Sequence, residues 1–286
     1  MTEEYIFIDN EELLFQLCTQ FSDSSWLAVD TEFERVSTYY PELCLVQISN
    51  GQQTIIVDPL VINNLEPLYG LLYQQSITKV FHSAHQDLEI FFHIKGSVPT
   101  PLFDTQLAAT ILGYAKGIGY GNLIKEVLGI ELDKGHARAD WKQRPLTEEL
   151  LRYAADDVIY LGKVYEIFLR KLSDIDNLTS LNEQLARLVK DETYQPNPDN
   201  MWKKIFAAKR MKGKHLAVIK QLAAWRENTA RSRNRPRKWI LPDHALVDMA
   251  KQLPENKSDL LKIDKMGEKT VGKHGDELLK IIHDTQ

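Results

Sequence analysis

Five short runs rich in β-branched and aromatic residues fall within the first 84 positions of this 286-residue chain, and they constrain its fold more than any other feature. They are YIFID (5–9), WLAVDTEF (26–33), CLVQIS (44–49), TIIVDP (54–59) and TKVFHSA (78–84), each bounded by turn-forming residues. Asn50-Gly51, between the third and fourth runs, is a hairpin pair and predicts antiparallel neighbours. Helical periodicity occupies 11–21, 64–75, 86–94, 103–112, 120–129 and 147–171. Thr147, after Pro145 and before Glu148 and Glu149, reads as an N-cap. Strands and helices interleaved in this way predict an α/β domain, a mixed sheet covered by helices.

That pattern stops near residue 200. The stretch QPNPDN (195–200) sets two prolines among polar residues and disfavours a continuous helix. Beyond it, HLAVIKQLAAWREN, DHALVDMAKQL and GDELLKIIHD read as amphipathic helices with no strand pattern between them, so a small all-α domain is expected. Charge divides at the same place. Residues 196–286 hold 20 Lys+Arg and 11 Asp+Glu, a net of +9, while residues 1–195 carry a net of −14. Within 200–240, 13 basic residues face a single acid, Glu227. A local, one-signed excess points to a polyanion rather than to a merely solvated helix face. The predicted organisation is a front domain over 1–195, a connecting segment over 196–209 and a rear domain over 210–286.

Some classes are excluded early. No apolar run approaches the roughly 20 residues needed to cross a bilayer. The acidic start, MTEEYIFIDNEELL, lacks the basic and apolar regions of a secretory signal. The two cysteines, Cys18 and Cys44, lie in apolar patterns and permit neither a disulfide scaffold nor a cysteine cage for a metal. A cytoplasmic monomer with no membrane attachment is expected.

The chemistry begins at the end of the second run. In WLAVD-T-E-F, Asp30 and Glu32 stand two residues apart, so strand geometry points both carboxylates to one face. Side by side, they are costly unless a cation or partner neutralises them. Asp87 follows the fifth run at the start of a helix, where the helix dipole alone would favour an acid. In LLRYAADDVIYL (150–161), Tyr153 and Asp157 are four apart and share one helical face, with Asp156 rotated away from it. Together the four acids form an oxygen-only donor set suited to hard divalent ions such as Mg²⁺ or Mn²⁺. Two such ions about 3.5–4 Å apart can promote in-line phosphoryl displacement. Spacing by itself does not bring the four acids to one place.

DTEF (30–33), FHSAHQDLEIF (81–91) and YAADDVIYL (153–161), in that order, resemble the three motifs of the ribonuclease D group of DEDD 3′→5′ exonucleases, in its tyrosine-bearing subclass. FDTQLAATILG (103–113) and DWKQRPLTEELL (140–151) are similar to the family's linking segments, and the resemblance covers essentially the whole chain. It implies an RNase H-like fold and two-metal hydrolysis of RNA from the 3′ end, releasing nucleoside 5′-monophosphates, with precursor tRNA as the expected setting. It also implies that Asp30 bridges both ions, that Glu32 and Asp157 complete one site, and that Asp87 serves the other. Tyr153 would sit beside the attacking water. A phenol with an ordinary pKa near 10 suits orientation by hydrogen bond better than proton abstraction.

Other residues are more open. His82 and His85 flank Asp87, and the family assigns neither to metal; His85 is taken as a candidate substrate contact. GYAKGIGYG (113–121) is glycine-rich but follows a helical pattern, so a turn is expected rather than a phosphate cradle. Arg138, Trp141, Lys142 and Arg144 offer stacking and phosphate contacts, with a core role for Trp141 as the alternative. From about 210 onward the chain resembles an HRDC module. Enteric-bacterial members of the family end in two such modules, and one is expected here. Lys203, Lys204, Lys209, Arg210, Lys212 and Lys214, with Arg231, Arg233, Arg235 and Arg237, are candidates to track a phosphate backbone. The rival readings are a DNA 3′→5′ exonuclease and a catalytically silent RNA-binding adaptor.

Overall fold

A computed structural model of the chain describes residues 4–133, 135–136, 139–175 and 178–285. The five runs become strands β1 (Tyr5–Ile8), β2 (Trp26–Glu34), β3 (Glu42–Ser49), β4 (Thr54–Val57) and β5 (Thr78–Phe81). A sixth, β6 (Leu102–Asp104), occupies the start of the region expected to be helical from 103. Three residues are too few to carry a period of two, so this strand left no signal. The sheet order is β1-β4-β3-β2-β5-β6. β3 runs antiparallel to both β2 and β4, and the other pairs are parallel. The β3–β4 hairpin turns at Asn50-Gly51 as expected. Gly51 adopts φ +84°, and the Asn50 side-chain oxygen accepts from the backbone N–H groups of Gln52 and Gln53.

Strand alternation sends successive side chains to opposite faces. Leu27 and Val29 join Ile55, Val57 and Phe81 in a core closed by α1 (Glu11–Phe21), α2 (Glu66–Leu72) and α3 (His85–Lys95). Ala28, Val80 and Phe103 point the other way, into a core with α4 (Thr105–Ile111), α5 (Tyr120–Leu128) and α6 (Glu148–Ser173). Helix α6 is the long one, 26 residues, and Thr147 caps it by accepting from the Leu150 N–H. It packs on β2, β3 and β4, where Gly162 lets it come close to the Trp26 ring: a Cβ at that glycine would stand 2.8 Å from the indole. Two short helices, α7 (Thr179–Leu188) and α8 (Asp191–Tyr194), complete this part.

The chain divides into two compact units, one through Glu34 and over Pro41–Tyr194, the other over Arg35–Tyr40 and from Gln195 onward. The second unit is helical: two 3₁₀ turns (Pro198–Lys204 and Phe206–Arg210), then α9 (Gly213–Ser232), α10 (Arg237–Ile240), α11 (Asp243–Gln252), α12 (Lys257–Leu260) and α13 (Glu268–Thr285). Met201, Ile205 and Ala208 are buried in its core, so the connecting segment is part of the folded unit. Its most buried acid is Glu227, 0% exposed and held by a fork from Arg237, by Arg231 at 3.5 Å and by the Tyr39 hydroxyl. Burial works against the Glu227 charge, yet these partners keep its carboxyl below the ordinary range. Arg231 and Arg237, read from sequence as phosphate contacts, are therefore turned inward by Glu227, whose burial its four-residue spacing from Arg231 did not reveal. No helix among the described residues is long and apolar enough to cross a membrane.

Gly162→Ala should overpack the α6–β2 contact and lower the unfolding free energy by about 1–3 kcal/mol. Urea denaturation measures this, and Trp26→Phe in the same chain should restore part of the loss.

Candidate active site

The site forms beneath α6 where β2, still paired with β3, has parted from β5. Asp30 and Glu32 lie on the same face of β2 as Ala28, and Tyr153 and Asp157 descend from α6 on adjacent turns. Carboxylate oxygens of Asp30, Glu32 and Asp157 all lie within 4.8 Å of one another. A cleft of about 500 Å³ opens over them, lined also by Thr31, His82, Tyr120, Asn122 and Asp133. Asp87 arrives from the first turn of α3 and is 7% exposed. Thr31 connects it to the rest. Placed between the two acids of β2, it points to the opposite face, and its hydroxyl donates to Asp87 Oδ1 at 2.5 Å. One tripeptide, Asp30-Thr31-Glu32, thus supplies two acids and positions a third.

The backbone behind Asp87 is held by Asp104. Its carboxylate accepts from Ser83 N (3.2 Å) and Ala84 N (2.9 Å) ahead of α3, and from Gln106 N (2.8 Å) and Leu107 N (3.2 Å) at the start of α4. Ser83 takes φ +61° there, a left-handed conformation that Asp104 holds in place. Behind α6, the hydroxyl of the half-buried Tyr120 donates to the carbonyls of Asp156 (3.0 Å) and Asp157 (2.6 Å), fixing the helix at the turn that carries the fourth acid. Thr31, Asp104 and Tyr120 went unassigned in the sequence because each acts through a partner 20 or more residues away. Tyr120 had only its place after a glycine-rich turn to mark it.

Electrostatics makes the cluster unstable by itself. Burial raises the Asp30 carboxyl well above its ordinary value, and repulsion from Asp87, Asp157 and Glu32 raises it further. Burial and the charges of Asp157 and Asp87 push Glu32 up to about 9. Asp157 is pushed to about 7, mainly by burial with help from Asp156. Burial takes Asp87 to about 7 as well, against the opposing hydrogen bond from Thr31. Every charged group acting on Asp30 and Glu32 is another carboxylate. Arg152 pairs instead with Asp156 at 2.8 Å. Beside Asp30 in register, Gln47 is fully buried with no hydrogen-bond partner for either amide atom. A crowded all-oxygen donor set without a balancing cation fits a hard divalent metal. Tyr153 has its phenol raised well above the ordinary range by burial and by Asp157, Glu32 and Asp30, so it holds its proton.

Comparison with known proteins identifies the family. Residues 5–173 match the family model for a 3′–5′ exonuclease, and residues 215–282 match the HRDC domain. Ribonuclease D of Pseudomonas paraeruginosa is 42% identical over 279 residues, covering 98% of this chain and 74% of its own length. The chain belongs to the ribonuclease D family. The crystal structure of Escherichia coli RNase D, described as an exoribonuclease involved in structured RNA processing, superposes with a TM-score of 0.88. It is 33% identical and covers 99% of this chain and 75% of that one. The catalytic core of RRP6 from Trypanosoma brucei gives a TM-score of 0.74 at 25% identity, over 99% of this chain and 80% of that one. As a ribonuclease D family member the chain is a metal-dependent 3′→5′ exoribonuclease that takes RNA as substrate.

The remaining sequence candidates are placed as follows. Trp141 is 3% exposed, packed with Cys44, Leu45 and Ala154 and 6.2 Å from the Tyr153 ring, so no face is open to a base. Arg144 spends all five donors within the protein. It forks onto buried Asp58 at 2.5 and 2.8 Å and reaches the carbonyls of Trp141, Gln143 and Cys44. Both support the loop before α6 rather than face RNA, Trp141 through its packing and Arg144 through Asp58, a partner 86 residues away that the sequence did not show. Lys142 pairs with Glu42, and Arg138 lies outside the described residues. His82 is bound at both ring nitrogens, to Thr105 Oγ1 and the Ile118 carbonyl, each at 3.0 Å. His85 is exposed at the start of α3, stacked on Tyr194. Lys209, Arg210, Arg233 and Arg235 are exposed in the helical unit; Arg210 lies over the Phe206 ring, and Arg233 donates to His274.

Arg144→Ala should lower stability by about 3–5 kcal/mol, since it leaves Asp58 as a buried charge without its cation, and should leave the RNA affinity of the folded protein unchanged. Denaturant titration alongside a binding assay separates the two. The acid cluster predicts an unusual pH response. Its carboxyls are raised in the folded state, so between about 4 and about 9 the folded chain binds protons that the unfolded chain has released. Stability in EDTA should therefore fall as pH rises through that window, and Mn²⁺ should flatten the decline. Melting temperatures across pH, with and without the ion, measure both effects.

Proposed function

We propose that Asp30, Glu32, Asp87 and Asp157 would hold two divalent ions, Mg²⁺ or Mn²⁺: Asp30 would serve both, Glu32 and Asp157 one of them, and Asp87 the other. The observation that carries this reading is the convergence of three carboxylates within 4.8 Å, with Asp87 acting on two of them. When bound, such ions neutralise the scissile phosphate and acidify a water for in-line attack, yielding a nucleoside 5′-monophosphate from the 3′ end.

The chain's own groups then have defined tasks. Tyr153 keeps its proton and orients the attacking water by hydrogen bond rather than removing a proton from it. Tyr120 and Thr31 hold Asp157 and Asp87 in place, the kind of supporting contact whose loss costs roughly 10–100-fold in metal affinity or activity. The basic helical unit supplies phosphate contacts without base readout, with Lys209, Arg210, Arg233 and Arg235 as candidates. His85 stands as a further candidate contact. Trimming of precursor tRNA 3′ ends is the setting we assign. We place the chain in the cytoplasm as a monomer; Cys18 and Cys44, both free and buried, fit a reducing compartment.

RNA labelled at either end, incubated with Mn²⁺, Mg²⁺ or EDTA, tests the reading. Stepwise shortening from the 3′ end with either ion, and none in EDTA, is expected; internal cuts or EDTA-resistant cleavage would overturn it. Tyr153→Phe should slow single-turnover cleavage by about 10²-fold with metal affinity unchanged. An unchanged rate would remove Tyr153 from the chemistry.

A further inference from the structure

Trp239 is 61% exposed, an unusual position for the largest apolar side chain in a chain whose aromatics, apart from Phe15, Phe206 and Trp239, are at least partly buried. It sits on α10, a single turn whose other side is firmly anchored. Arg237 forks onto the fully buried Glu227 and donates to the Tyr39 hydroxyl at 2.9 Å. Ile240 packs on the core of the helical unit, Leu241 is 1% exposed, and the Leu241 carbonyl accepts from Arg226 at 2.9 Å. Helical spacing places 237, 240 and 241 on the inward side, so 238 and 239 face away from it. Lys238 and Arg235, both exposed, lie beside Trp239 in sequence. Phe206, another exposed ring of this unit at 73%, has the Arg210 guanidinium over one face; among the described residues no cation or ring lies over Trp239.

The geometry points to Trp239 as a stacking platform for an unpaired RNA base, with Lys238 and Arg235 on the adjoining phosphates. The occupant follows from charge and shape. The +9 net charge of residues 196–286 favours a polyanion, and an indole face held rigidly outward loses little entropy when a base stacks on it. Duplex RNA offers no base face except at its ends, so the platform selects single-stranded segments. The buried Glu227 network then has a purpose beyond stability: it sets the direction in which α10 presents its ring. This inference rests on the reading of the chain as an RNA-degrading enzyme and adds the form of RNA that its helical unit grips.

The test is fluorescence anisotropy of the full chain in EDTA, which binds RNA without cutting it, using a labelled oligoadenylate and a blunt RNA duplex. Trp239→Ala should weaken oligoadenylate binding by about tenfold, leave duplex binding unchanged and leave the salt dependence unchanged. Trp239→Phe should retain most of the affinity, which excludes misfolding as the cause. Lys238→Gln should instead reduce the slope of log affinity against log salt by about one. Unchanged oligoadenylate affinity in Trp239→Ala, or an equal loss on both RNAs, would overturn the platform. So would a shift in sedimentation of that variant, which would make Trp239 a contact between two copies of the chain. Wild-type cleavage with Mn²⁺ is scored separately, so failure of the platform and failure of the nuclease reading are distinguishable.

Discussion

Three carboxylates within 4.8 Å of one another, partly sealed from water, repel by about 3–4 kcal/mol per pair at an effective dielectric of 20. Three pairs together approach the whole net stability of a typical domain, about 5–15 kcal/mol. The fold can hold such a cluster only by leaving part of it protonated or by admitting cations. Burial and mutual repulsion push the carboxyls upward, and the oxygen-only donor set suits small divalent ions. The same repulsion makes the site useful, because cations drawn in by the surplus charge are those a phosphodiester needs.

A cluster that resists its own assembly has to be imposed from outside, and the structure shows how. Strand β2 presents Asp30 and Glu32 because alternation leaves no other choice once Leu27 and Val29 are buried. Thr31, facing the other way, holds Asp87; Asp104 holds the turn that starts the Asp87 helix; Tyr120 holds α6 at Asp157. None of the three needs to touch substrate. Each turns a general preference for strand or helix into a particular position for one acid, and a shift of 1 Å in any of them would separate the donors.

Charge is handled differently in the second unit. There a single buried acid, Glu227, recruits two arginines and a tyrosine, and stays charged because its partners are cations. The count of basic residues therefore overstates what is available to RNA. Arg231 and Arg237 serve the fold, Arg235 is exposed but spends one donor on the Ser37 carbonyl, and Lys238 faces solvent. The contrast between four acids left without cations and one acid fully supplied with them separates the site from the scaffold.

The acid motifs were legible in the sequence because their chemistry depends on spacing within one element: two apart on a strand, four apart on a helix. The five strands, the Asn50-Gly51 hairpin and the span of α6 were legible for the same reason, since periodicity is a local property. Residues whose meaning depends on a distant partner were not. Arg144 looked like a phosphate contact until Asp58 appeared beside it, Trp141 until Cys44 and Leu45 closed around it, and Arg237 until the chain turned after α9 and Glu227 drew it inward. Segment 35–40 lies within the front domain expected over 1–195, and it folds with the helical unit because Tyr39 and Ser37 find their hydrogen-bond partners there. The sequence by itself determined which elements form and which side chains carry charge on the same face. Tertiary structure alone decided which charges meet and which are cancelled, because a Coulomb interaction depends on distance in space and the chain order does not contain that distance.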